Sequence, residues 1–130
     1  MRVGRRAQRL EPMREEWKAG VTVVLSSDAF VSSYRPLEQI AEAVTRTTFD
    51  GAPIGKDQAL TIQEAVQGYT INAARALGME DQIRSLEVGK LADMTVIDGD
   101  LFSEPAESVP QLPIWMTIID GEVKWQADGK

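Results

Sequence analysis

Apolar residues first recur with helical spacing at Leu10, Met13 and Trp17, three and four positions apart with charged residues between them. Pro12 suits the first turn of a helix there, and Ala19-Gly20 supplies its stop. The pattern then changes. Val21-Thr22-Val23-Val24-Leu25 is almost wholly apolar and rich in β-branched residues, which predicts a strand buried on both faces, as in parallel sheets. A helix, a glycine stop and a buried strand in this order form half of a repeating α/β unit. A second helix is predicted from Pro36, with Leu37, Ile40, Ala41 and Val44 on one face. Asp50-Gly51 and Pro53 to Gly55 make the following loop rich in turns.

Thr61 opens the clearest helix in the chain, because Thr61 and Glu64 have the spacing of a capping box. Its apolar stripe runs through Ile62, Ala65, Val66, Tyr69, Ala73 and Leu77, and Gly78 is placed to end it. Tyr69 reads as a core residue, and Asn72 as a buried amide tying down a neighbouring loop. After about Ser85 the helical period gives way to strand-like runs, Met94 to Ile97, Ile114 to Ile119 and Glu122 to Trp125. Asp120-Gly121 between the last two is a strong signal for a two-residue hairpin. The expected organisation is therefore a helical α/β part over residues 1–85 and a small β part over residues 86–130.

Composition narrows this picture. The chain has 130 residues, too few for a whole (β/α)8 barrel of roughly 250 residues. A net charge of -6 argues against a general nucleic-acid binder. The charge is uneven, since Met1 to Lys18 holds six basic and three acidic residues. That end fits a targeting or polyanion-binding segment, or more plainly a solvated helix face. The chain has no cysteine, so disulfides and thiolate-bound metals are excluded. It also has no histidine, which removes the commonest catalytic base and metal ligand. No apolar run reaches the roughly 18 to 20 residues of a membrane span, and no signal peptide is visible, so no membrane partner and a cytoplasmic location are expected.

Ser26-Ser27-Asp28 follows the first predicted strand at once, and in α/β barrels the C-terminal ends of strands carry the chemistry. Asp28 by itself reads first as a polar residue that caps the next turn. Three stretches together say more. They are Val21 to Asp28, then Leu60-Thr61-Ile62-Gln63-Glu64-Ala65 running on to Tyr69-Thr70-Ile71-Asn72-Ala73-Ala74, then Gly89-Lys90-Leu91-Ala92-Asp93-Met94-Thr95-Val96-Ile97-Asp98. In this order the chain resembles the C-terminal third of the amidohydrolase superfamily, and it looks closest to the amidohydrolase family 3 branch. The Gly-Lys-Leu-Ala-Asp run is the most specific element. The ending Ile118-Ile119-Asp120-Gly121-Glu122-Val123 is similar to the family's last hairpin.

The resemblance implies a fold of class α/β, the C-terminal end of a (β/α)8 TIM barrel followed by strands of a small composite β-sandwich. It also implies a divalent metal, usually zinc, that activates water against a non-peptide carbon–nitrogen bond in a small-molecule substrate. Asp28 matches the family's aspartate at the end of strand eight, a metal ligand and proton carrier. Ser26, Ser27, Ser32, Ser33 and Tyr34 lie in the matching loop, with Ser32 and Tyr34 the candidate substrate contacts. Asp93 is expected to fix a turn, and Lys90 to be exposed. Glu38 and Glu42 are expected to point along a helix into solvent.

A catalytic zinc takes three protein ligands and an open position. The resemblance implies that Asp28 is one ligand, with the remaining ligands on strands outside this sequence. The expectation is a fragment of a metal-dependent hydrolase that is inactive and marginally stable by itself and binds no cofactor stably alone. Its origin would be a truncated gene, a displaced start or half of a split enzyme. The alternative is a non-catalytic remnant or interaction module, self-associating through exposed sheet edges.

Overall fold

The computed structural model describes residues 4–48 and 50–129. The basic start of the chain is thus described from Gly4 on, and residues 1–3 lie outside the described residues. A 3-10 turn at Gly4–Arg9 precedes helix α1 (Met13–Lys18), and α2 (Pro36–Thr45) follows. A second 3-10 turn, Lys56–Gln58, leads into α3 (Ile62–Tyr69) and α4 (Ile71–Ala76). Strand β1 (Met94–Ile97), a 3-10 turn at Val109–Gln111, β2 (Ile114–Ile119) and β3 (Glu122–Gln126) complete the order.

The helices form where the apolar spacing places them. Pro36 is the first residue of α2, and Leu37, Ile40 and Ala41 are buried on one face. Thr61 caps α3 as its spacing predicts: its hydroxyl accepts from Glu64 N–H at 3.3 Å while Glu64 Oε2 accepts from Thr61 N–H at 2.7 Å. Leu10 lies outside α1 and is half exposed, so only Met13 of the first predicted stripe is fully buried. The long helix expected from Thr61 to Leu77 breaks at Thr70. The Thr70 hydroxyl bonds back to Val66 O at 2.7 Å, and the backbone there has φ -117° and ψ -98°. A threonine that offers its own hydroxyl to the preceding turn competes with continued helix.

The run Val21 to Leu25 corrects the sequence reading. It is extended but belongs to no strand, because no described residues run beside it to complete a ladder. Instead the helical hairpin behind it holds it at two points. Leu25 N–H donates to Gly68 O at 3.2 Å, and Asn72 Nδ2 donates to Val23 O at 3.0 Å. Gly68 permits the approach, since a Cβ there would stand 2.8 Å from Leu25 Cγ.

One core joins these pieces. Met13, Val23, Leu37, Ile40, Leu60 and Ala65 cluster together with Val109, which comes from the loop between β1 and β2. That loop docks under α2, where Arg35 donates to Pro110 O at 3.1 Å. The three strands make one antiparallel sheet in the order β1-β2-β3. Asp120 (φ 52°) and Gly121 (φ 76°) both take the left-handed conformation that a tight two-residue hairpin requires. Asp93 fixes this turn, its carboxylate accepting from Asp120 N–H at 2.8 Å. Lys90 is not exposed as expected. Its ammonium group donates to Glu80 O and Ser85 Oγ, each at 2.6 Å, and so staples the loop after α4. Among the described residues no helix is long and apolar enough to cross a membrane.

Candidate functional site

The extended segment delivers its polar end to a cavity. Ser26, Ser27 and Asp28 lie at the mouth of a cavity of about 350 Å³, facing Gln39, Glu42 and Arg46 from α2 and its C-terminus. Asp28 adopts φ 48°, a left-handed conformation that aspartate tolerates better than most residues. Its carbonyl accepts from Val31 N–H at 2.7 Å, closing a tight turn. Its carboxylate is exposed and makes no hydrogen bond or ion pair among the described residues.

The turn is braced from below. Ser32 Oγ donates to Ser27 O at 2.5 Å, and Gln39 Nε2 donates to Ser33 O at 3.2 Å. Ser32 lines the cavity beside Asp28. Tyr34 is 80% exposed and stands outside the cavity lining. The structure thus brings Asp28 and Ser32 together and leaves Tyr34 outside the cavity.

Sequence reasoning missed three contributors. Glu42 does not simply point into solvent: it lines the cavity, and burial with the charges of Glu38 and Glu11 pushes its carboxyl above the usual carboxylate range. Glu11 lies on the same wall. Arg46 is 6% exposed and clamps the cavity floor. Its Nε donates to Ile54 O at 3.2 Å and its Nη2 to Leu10 O at 2.6 Å, with Glu11 3.7 Å from Nη1. No spacing rule marks Arg46 in the sequence, because its partners are carbonyls distant along the chain. Of the residues singled out earlier, Asn72 and Tyr69 lie behind the segment. Asn72 secures the segment, while the Tyr69 hydroxyl is buried with no partner among the described residues.

Among the described residues no group of three or more Asp, Glu, His or Cys side chains is placed to hold a metal ion. Asp28 offers a single carboxylate, short of the three ligands a catalytic zinc takes. The described residues do not complete a metal centre, and no chemical step through one follows from them.

What the cavity offers is a solvated carboxylate at a turn, three serine hydroxyls and a buried guanidinium beneath them. The chain is 37% identical over 121 residues to the N-substituted formamide deformylase of Arthrobacter pascens, covering 93% of this chain and 22% of that protein. It is 35% identical over 92 residues to the 5-methylthioadenosine/S-adenosylhomocysteine deaminase of Moorella thermoacetica, covering 71% and 21%. The fold matches an amidohydrolase from Thermotoga maritima with a TM-score of 0.69 at 22% identity, over 98% of this chain and 29% of that one. The chain therefore spans about a fifth of the length of these two curated relatives. The amidohydrolase family profile matches residues 2–124, nearly the whole sequence, and with these relatives it shows that the chain belongs to the amidohydrolase family, in its family 3 branch.

Proposed function

We propose that this chain is the C-terminal segment of a metal-dependent hydrolase acting on a non-peptide carbon–nitrogen bond of a small molecule. Residues 1–85 would close the end of its TIM barrel, and residues 86–130 would supply strands of its composite β-sandwich. Asp28 is the residue this segment contributes to the chemistry, as proton carrier and as one ligand of a divalent metal, zinc by family habit. The other ligands would come from the rest of the enzyme. Ser32 would face the substrate, and Tyr34, exposed outside the cavity, would reach it from the same loop.

One observation carries the reading. A carboxylate with no partner among the described residues follows the extended run Val21 to Leu25 and lines a cavity, inside a family match that spans residues 2–124. The relatives' substrates support the reaction class, since N-substituted formamide deformylase and the deaminase both act on carbon–nitrogen bonds outside peptides. The incomplete donor set favours a second reading for the polypeptide alone, a non-catalytic module that associates through its exposed edge strand β3.

Two measurements separate these. DNA upstream of the Met1 codon should continue in frame and encode a His-x-His pair; an in-frame stop there sinks the segment reading. In the extended enzyme, Asp28→Asn should lower kcat about 100-fold or more with the fold intact. Unchanged kcat removes Asp28 from the chemistry.

A further inference from the structure

Arg46 is a buried charge where separate stretches of the chain meet. It ends α2 in the left-handed conformation, φ 50°, and is 6% exposed. Ile54 N–H donates to Arg46 O at 2.9 Å, and Arg46 Nε donates back to Ile54 O at 3.2 Å and to Gly55 O at 3.3 Å. The loop from Arg46 to Gly55 is thereby closed at its base, with Thr47 bridged to Pro53 inside it. From the end of the fork, Nη2 donates to Leu10 O at 2.6 Å. Gln8 adds a second tie between the same stretches, its Oε1 accepting from Gly55 N–H at 2.8 Å.

Fold stability is a weak reason for this arrangement. Burying a guanidinium costs hydration, and Glu11 returns little of it, standing 3.7 Å away and 81% exposed. What the planar fork does supply is fixed geometry, since it holds the carbonyls of Leu10, Ile54 and Gly55 about one rigid group. These stretches carry part of the cavity lining, through Glu11, Arg46, Thr47 and Ile54. Ser26, Ser27, Asp28 and Ser32 line it from the extended segment and its turn, which are tethered elsewhere, through Leu25 to Gly68 and through Val23 to Asn72. The bonds of both tethers lie within the chain and call on no other part of the enzyme.

We propose that Arg46 is a positioning residue for substrate binding: by clamping Leu10, Ile54 and Gly55 it fixes the part of the lining that grips the substrate, while the separately tethered Asp28 serves the bond-breaking step. This rests on the hydrolase reading above.

The test uses the full hydrolase that carries this chain, with acetanilide, succinimide and hydantoin as non-peptide carbon–nitrogen substrates, and follows kcat and KM on the one turned over fastest. Arg46→Lys keeps the charge and loses the fork, and should raise KM about tenfold with kcat within about threefold. Gln8→Ala cuts the second tie and should raise KM about threefold; it serves alone if thermal melts show that Arg46→Lys unfolds early. Asn72→Leu acts on the other tether and should lower kcat more than it raises KM. The split separates positioning from a structural role, because a fraction of unfolded enzyme lowers apparent kcat and leaves KM alone. A KM unchanged in Arg46→Lys and Gln8→Ala overturns the inference, as does a fall in kcat that matches the rise in KM. The same split in Asn72→Leu as in Arg46→Lys overturns it too, since the two parts of the lining would then not be held separately. A parent enzyme inactive on all three substrates counts instead against the hydrolase reading.

Discussion

Asn72 is where the candidate site depends most on one side chain. It is 5% exposed and donates the single hydrogen bond that Val23 O receives among the described residues. Val23 is itself buried, at 7% exposure, so Asn72→Ala leaves a buried carbonyl without a partner. Losing the bond and orphaning the acceptor costs about 2 kcal/mol together, more than the net worth of an ordinary bond, because the carbonyl has no water to turn to. With a urea m-value of about 1.5 kcal/mol/M, the unfolding midpoint should fall by about 1.3 M. Asn72→Leu keeps the volume and removes the donor, and should fall by a similar amount. Hydrogen exchange gives the local readout: amides of residues 22–31 should lose protection before those of α2 in both variants. If Asn72→Leu unfolds within about 0.3 M of the parent, the bond does not hold the segment and the argument from burial fails.

Three further outcomes follow from the same geometry. Tyr69 keeps a buried hydroxyl without a partner among the described residues, and burial followed by the Glu42 charge pushes its phenol up to about 12. The folded state then retains a proton the unfolded chain releases above the ordinary value of 10.0, so stability should fall as pH rises from there towards about 12. Tyr69→Phe should abolish that fall and raise stability near neutral pH by about 0.5–1 kcal/mol in urea unfolding; a clear loss would show a partner for the hydroxyl. Burial alone would raise the Glu64 carboxyl, but the Arg14 guanidinium at 2.7 Å and the Thr61 donors hold it below its usual 4.5. Its contribution is present above that value and lost as pH falls through the lowered one, so the acid-side slope of the unfolding midpoint should shrink in Glu64→Gln. Asp93→Ala removes the acceptor for Asp120 N–H and should destabilise by about 1–2 kcal/mol, with cross-strand NMR contacts between Thr117 and Trp125 weakened; a pattern identical to the parent would remove Asp93 from the hairpin's support.

Much of the local structure was legible because it is written in short-range chemistry. Thr61 and Glu64 cap a helix wherever they meet at that spacing, and Pro36 starts one for the same kind of reason. Asp120-Gly121 tolerates positive φ and so makes its turn without help from the rest of the chain. Asn72 was also read correctly, since a polar amide amid an apolar helical stripe needs a carbonyl to satisfy. The long helix failed at Thr70, where a hydroxyl bonds to Val66 and Gly68 makes room for Leu25. Lys90 was misread because a lysine after a glycine is usually solvated, while here two acceptors from the preceding loop surround its ammonium group.

The sequence by itself determined the elements that depend on neighbours within a few positions, and through three ordered motifs it determined the family. It also settled that this chain brings neither histidine nor cysteine to a metal. Tertiary structure decided the rest. Whether Val21 to Leu25 becomes a strand depends on adjacent backbone, and among the described residues it bonds to Glu16, Gly68 and Asn72, all from helices. Which acids share the cavity with Asp28 depends on α2 folding back across that segment, which brings Glu42 and Arg46 to it from far along the chain. Pairing and proximity of this kind are sums over distant groups, and no local pattern of residues encodes them.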